Sequence, residues 1–167
     1  MDLELHIRAA TYSDIGAITD IYRHHVLHGT GSFEVEPPDA EEMTRRMEDV
    51  LTRRLPYLIA EAGDTVVGYA YATLYRTRIA YRFTLEDSVY VHHAHGGRGI
   101  GAKLLAELIP QCKSWGCKQL VAVIGDSANT ASIRVHEKLG FHHSGVLRDV
   151  GFKFDRWLDT VMMQLPL

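Results

Sequence analysis

The chain has 167 residues, 46% of them hydrophobic and 23% charged, enough apolar material for one domain with a substantial core. Its 18 basic and 21 acidic residues leave a formal net charge of -3, which argues against a nucleic-acid-binding module, and no segment has the long uncharged apolar run of a membrane span. The first residues, MDLELHIRAA, lack the layout of a secretory signal, and two cysteines are too few for a disulfide scaffold, so a soluble cytoplasmic protein is expected.

In chain order, Leu5 to Ala10 reads as a first strand. Thr11 and Asp14 form a capping signal, after which Ile15, Ile18, Ile21 and Tyr22 recur at helical spacing until Gly29. Asp39 and Glu42 cap a second helix with Met43, Met47, Val50 and Leu51 on one face, supported by the Glu42–Arg46 pair and ended by Pro56. YLIAEA and VVGYAYATLY flank a Gly63-Asp64 turn, a strand–turn–strand pattern. The polar segment RTRIAYRFTLED leads into a short strand, SVYV. A helix carrying Ile100, Leu104, Leu105, Leu108 and Ile109 fades near Gly116; KQLVAVIG is a buried strand; a helix spans Ala131 to Leu139, stopped by Gly140. The alternating segments GVLRDVGFKF and WLDTVMMQL close the chain as a hairpin. No repeat, linker or low-complexity stretch interrupts this order. The expected fold is α/β, a single domain over residues 1–167.

Between SVYV and the helix that follows, Gly96, Gly97, Gly99 and Gly101 lie close together. Glycines allow backbone N–H groups to converge, and the helix N-terminus adds unpaired donors and the positive end of its dipole. Strand, glycine turn and helix start together suit a phosphate or pyrophosphate. GGRGIG is not a P-loop, since no Lys-Ser/Thr pair follows, and it lacks the context of a dinucleotide fingerprint. On the loop alone, a phosphate site and a structural turn are equally good readings.

A second segment decides between them. Asn129 to Phe141 reads NTASIRVHEKLGF, an Asn, small residues and a KLGF ending downstream of the glycine turn. With the turn, this resembles the GNAT superfamily of acetyl-CoA-dependent N-acetyltransferases, whose first motif is Q/R-x-x-G-x-G/A after a strand. TGSFEVEP, RTRIAYRFTLEDSVYVHHAHGGRGIG, VAVIG, SIRVHEKLGF, GVLRDVGFKF and RWLD resemble the phosphinothricin and methionine-sulfoximine acetyltransferase family in particular, over nearly the whole chain. The chain departs from the superfamily pattern at Gly96, where Gln or Arg is usual; the backbone donors remain, and Arg98 is placed to supply the charge.

The resemblance implies a mixed, mostly antiparallel twisted sheet flanked by helices, with two central strands splayed to receive the donor's arm. It implies cofactor contacts from Val89, Tyr90 and Val91 through their backbone, from Gly97, Arg98, Gly99, Ile100, Gly101 and Ala102 to the pyrophosphate, from Asn129 and Ser132 to the pantetheine, and from Lys138 to a phosphate. Glu86 matches the proposed general base, His136 the position of the acid that protonates the departing thiolate. Phe33, Arg76, Thr77, Arg78, Tyr81, Glu86, Asp87 and Ser88 form the implied acceptor site, the two arginines clamping an anionic group if their segment is extended. Along such a chain Asp87 faces away from Glu86. The implied reaction is direct acetyl transfer from acetyl-CoA to the α-amine of a small amino-acid analogue, in a homodimer with active sites near the subunit interface.

Other residue patterns carry competing readings. Among the ten histidines, His24 and His28 have i,i+4 spacing and His92, His93 and His95 crowd a strand end, yet no acid or cysteine completes a ligand set, so no metal is expected. Cys112 and Cys117 read as helix and turn residues. The rival functions are an acetyltransferase for a polyamine, aminoglycoside or protein N-terminus, which Arg76 and Arg78 disfavour for cationic acceptors, and a non-catalytic acetyl-CoA sensor.

Overall fold

Helical spacing in the chain becomes four helices packed on one sheet in a computed structural model, which describes residues 4–167. The strands are β1 (Leu5–Ala9), β2 (Tyr57–Ala62), β3 (Thr65–Leu74), β4 (Thr84–Val91), β5 (Gln119–Gly125), β6 (His142–Lys153) and β7 (Arg156–Pro166); the helices are α1 (Ile15–His28), α2 (Ala40–Thr52), α3 (Ile100–Trp115) and α4 (Thr130–Lys138). The seven strands run in the order β1-β2-β3-β4-β5-β7-β6. All neighbours are antiparallel except β4 and β5, which are parallel. This is the mixed, mostly antiparallel α/β sheet that the resemblance implies.

The local signals act as expected. The Asp39 side chain accepts from the Glu42 backbone N–H at 2.9 Å, capping α2. Thr11 N–H donates to Asp14 at 2.8 Å, but the turn it closes is a short 3-10 segment, Tyr12–Asp14, that leads into α1. Gly116, at φ 111°, ends α3 in the left-handed conformation that glycine adopts without strain.

Strand alternation sorts the residues of β4 between two layers. Glu86, Ser88 and Tyr90 lie opposite Thr73, Tyr71 and Tyr69 of β3, on the face covered by α1, where Tyr90 meets Tyr22 edge-on at 5.1 Å. Leu85, Asp87, Val89 and Val91 occupy the other face, under α3, whose Ile100, Leu104, Leu105 and Leu108 are fully enclosed. Leu104→Ala is expected to lower stability by about 2–5 kcal/mol, through lost transfer energy and the cavity left behind, read as a reduced urea midpoint at unchanged slope.

Three expectations need correction. The active strand begins at Thr84, not Ser88, so Glu86 and Asp87 lie inside it. Arg76, Thr77 and Arg78 form a bend, and Arg78 precedes a 3-10 turn (Ile79–Tyr81); alternation along an extended strand therefore does not place both guanidinium groups on one face. Finally, β6 alternates in sequence yet is exposed along most of its length on both faces, because it is the sheet edge and no helix covers it.

Candidate active site

The β4–β5 ladder runs only from Thr84/Gln119 to Asp87/Ala122. Beyond Asp87 the strands part, although β4 remains paired with β3 as far as Val91, and β5 with β7 as far as Gly125. The inner edges of Ser88–Val91 and Val123–Gly125 therefore have no strand partner. A groove of about 450 Å³ opens between them, bordered by Ser88, Val89, Tyr90 and Val91, by the glycine turn, by Val123 to Gly125 and by α4 residues including Ser132 and His136. Backbone hydrogen-bonding groups on both walls suit an extended amide-bearing chain that pairs as an added strand would.

At one end the turn is built as its sequence suggests. Gly97 and Gly99 take φ of 74° and 76°, and nothing lies within 4 Å of a Cβ placed on either. Gly99 is the N-cap of α3, so the first N–H groups of that helix open toward the groove. His95, just before the turn, borders the groove and has a buried Nδ1 without a partner, and His25 Nε2 donates to the Val91 carbonyl at 2.7 Å, tying α1 to the end of β4.

At the other end Asn129 caps α4: its side-chain oxygen accepts from Ser132 N–H at 3.4 Å. Asp126 links this corner to the α1–α2 loop, accepting from Thr30 Oγ1 at 2.9 Å and from Ala128 N–H at 2.9 Å. That loop is held again by Lys153, a buried lysine whose Nζ donates to the Ser32 carbonyl at 2.7 Å. Phe33 follows, its ring seated against the backbone of Gly125 and Gly151.

Two ionisable groups sit on opposite faces of β4 at the fork. Burial, then the charge of Asp87, pushes the Glu86 carboxyl up to about 7, with Arg76 pulling the other way. Asp87 is itself buried, and its Oδ2 accepts from His136 Nε2 at 2.8 Å while His136 Nδ1 donates to the Ser132 carbonyl at 2.7 Å. Burial alone would lower the imidazole; the Asp87 hydrogen bond and charge, helped by the Ser132 carbonyl, outweigh it and hold His136 above its ordinary value.

Of the residues singled out from sequence, Ser88, Val89, Tyr90, Val91, Gly97, Gly99, Ile100, Gly101, Ala102, Asn129, Ser132, His136 and Asp87 border the groove. Tyr90 does so by its backbone, since its ring packs among Tyr22, Tyr69 and His25. Arg98 and Lys138 are exposed and stand outside it, as do Phe33, Arg76, Thr77, Arg78 and Tyr81. Arg76 lies over the Tyr75 ring at 5.2 Å and Tyr81 meets that ring edge-on at 5.7 Å. Asp87, singled out as an acceptor-binding residue, instead turns one carboxylate oxygen, Oδ2, to His136. Sequence reasoning missed His25, Gly31, His95 and Gly125 as groove residues; Gly125, at the end of a buried strand, had a legible signal in its small size.

The histidines stack instead of converging: His24 lies on His93 at 4.0 Å and His92 on His93 at 4.4 Å, and among the described residues no three potential ligands form a metal set. Both cysteines are buried, and burial pushes the Cys112 thiol up to about 12, which disfavours its thiolate at neutral pH.

The model of the Acetyltransferase (GNAT) family matches residues 18–141. This chain belongs to the GNAT acetyltransferase family. The phosphinothricin N-acetyltransferase of Alcaligenes faecalis is 54% identical over 96% of this chain and 82% of its own. The L-methionine sulfoximine/L-methionine sulfone acetyltransferase of Salmonella typhimurium is 42% identical over 96% of this chain and 94% of its own. The solved GNAT phosphinothricin acetyltransferase of Sinorhizobium meliloti, in complex with AcCoA, superposes with a TM-score of 0.95 at 42% identity, covering 100% of this chain and 89% of that one. As a GNAT member the chain is an acetyltransferase.

Proposed function

We propose that this GNAT enzyme transfers acetyl from acetyl-CoA to the α-amine of small amino-acid analogues, with phosphinothricin, methionine sulfoximine and methionine sulfone as the acceptor class. The Alcaligenes and Salmonella relatives act on such compounds by their names, and the Sinorhizobium structure carries AcCoA. The observation that carries the reading is the relation of two sites across one strand: the groove ends at Asp87, and Glu86, a carboxyl pushed up to about 7, faces the other layer beside it.

The groove fits the donor. Ser88–Val91 and Val123–Gly125 offer unpaired backbone edges to pantetheine amides, and Gly97 to Ala102 offer N–H groups to the pyrophosphate. Acetyl-CoA supplies an activated acyl group whose C–S bond gives way to a C–N bond at the amine. Glu86 takes the proton that the acceptor ammonium must lose, a task suited to a group titrating near the working pH. His136 places an imidazole, its proton affinity raised by Asp87, at the fork on the donor side, and a backbone N–H near Val91 serves the developing oxyanion. Arg76 and Arg78, exposed on the segment that leads into β4, supply the guanidinium groups for the acceptor's anionic groups.

The same reading makes the enzyme a cytoplasmic, detoxifying homodimer. Support comes from the edge strand: β6, its turn and the start of β7 expose Val146, Leu147, Val150, Phe152, Phe154 and Trp157, an apolar surface beside the unpaired strand edge that a second copy would cover. Among the described residues no helix is long and apolar enough to cross a membrane.

The test is CoA release, followed with a thiol reagent, using acetyl-CoA with methionine sulfone, sulfoximine or phosphinothricin. Saturable, amine-dependent release is the expected result, with a sedimentation mass of two chains. Tight acetyl-CoA binding without turnover of any of the three would overturn the acceptor assignment.

A further inference from the structure

We propose that Asp87 is a positioning residue for acetyl transfer, locking His136 as a cation at the fork of the donor groove while its own charge bears on Glu86 from the opposite face of the same strand. The inference rests on the functional reading above and goes beyond it, since that reading leaves Asp87 without a role.

Geometry carries it. Asp87 is the last residue of β4 paired with β5, and its side chain is 1% exposed; His136 on α4 is 3% exposed. The ring cannot turn. Nδ1 faces the Ser132 carbonyl, which only accepts, so that nitrogen carries a proton. Nε2 faces the Asp87 carboxylate at 2.8 Å, and Phe141 closes the ring edge-on at 4.9 Å. With acceptors at both nitrogens, the imidazole keeps two protons. A buried ion pair is a poor stability device, because desolvation offsets most of the attraction. This one is poorer still, since Asp87 Oδ1 is buried without any hydrogen-bond partner. What the pair supplies is a fixed positive ring bordering the groove where the strands part.

The same carboxylate reaches the other layer. Glu86 is its chain neighbour, and Asp87 raises the proton affinity of Glu86 in the same direction as burial does. The groups facing the pair are few. Cys112 on α3 stays a thiol, and α4 contributes His136 alone; on the Glu86 side stand Arg76, Tyr71 and Tyr90. Among the described residues Asp87 is therefore the one carboxylate that influences both the proposed base and the proposed acid, raising proton affinity at each.

The distinguishing measurement is the pH profile of kcat/KM for methionine sulfone, from pH 5 to 10, in the full chain and in Asp87→Asn. Removing the charge is expected to move both limbs of the bell acid-ward, each by about one pH unit. kcat at pH 8 should fall, by up to about tenfold for a one-unit shift, because His136 then holds its proton less tightly, while Asp87→Glu restores part of the alkaline limb. Both limbs unmoved, with kcat lowered equally at every pH, would reduce Asp87 to a packing role and overturn the inference. A second readout needs no donor and no variant. Side-chain 15N shifts of His136 in the free wild-type enzyme should show both nitrogens protonated at pH 7.5; a neutral ring at that pH overturns the lock directly. If no amine is turned over, the functional reading fails while the 15N result still decides on Asp87.

Discussion

Glu86→Gln is expected to reduce kcat on methionine sulfone by about 10²–10⁴-fold while leaving acetyl-CoA affinity unchanged. The amide keeps the shape of the carboxyl and removes only its basicity. In the wild type the acid limb of kcat/KM should fall away below about pH 7, where burial and Asp87 hold the Glu86 carboxyl protonated. In the variant that limb should vanish from the residual rate. A small change in kcat, or an acid limb that persists in the Gln enzyme, would assign the base elsewhere. The same substitution has an opposite effect on stability. Glu86 titrates near 4.5 in the unfolded chain and near 7 in the folded one. Between those values the folded state holds a proton that the unfolded state has released, so rising pH lowers stability across that window and the loss is complete above it. Glu86→Gln escapes this loss and should be more stable than wild type at pH 8, by up to about 3 kcal/mol less what solvent screens, in urea titrations at pH 4.5 and pH 8. Loss of activity with a gain of stability is the signature of a group kept in an unfavourable state for its function.

What the sequence made legible was local. The Asp39 cap of α2, the helical stripes of α1 and α3, the Gly63-Asp64 turn and the glycine turn all act within a few residues, and each lies where its spacing places it. The missed features depend on partners far along the chain. TLED looked like the end of a polar loop because Glu86 and Asp87 are charged; it is strand, with Asp87 buried in it beside His136, 49 residues away, which donates to Oδ2. Lys153 looked like the polar position of an alternating strand; it is buried because the Ser32 carbonyl, 121 residues away, accepts from it. Arg76 and Arg78 fail for the converse reason. Alternation applies only where a ladder holds the backbone extended, and β3 ends at Leu74. The resemblance supplied Glu86 and His136 as residues, but nothing in a linear pattern pairs His136 with Asp87 or gives β6 two exposed faces.

Gly125→Ala should show how far the acceptor side depends on such distant contacts. A Cβ at Gly125 would stand 2.4 Å from the Thr30 carbonyl oxygen and 2.8 Å from the Phe33 ring. The carbonyl belongs to a backbone fastened through Thr30 Oγ1 to Asp126 and through the Ser32 carbonyl to Lys153. Phe33 is confined further, because its other edge presses on Gly151. One methyl group therefore has to displace either the α1–α2 loop or the open end of β5, which is also a wall of the donor groove. Overpacking of this kind costs about 1–3 kcal/mol, so the enzyme should remain folded with a lowered urea midpoint. Activity should suffer more, since a shift of about 1 Å in a positioned reactant can cost on the order of 100-fold in rate. The expected result is a kcat/KM for methionine sulfone reduced about 100-fold, with the 15N shifts of His136 unchanged, because its partner Asp87 lies at the paired end of the β4–β5 ladder, away from Gly125. Unchanged kinetics would mean that the Phe33 loop moves freely away from Gly125 and does not set the acceptor position.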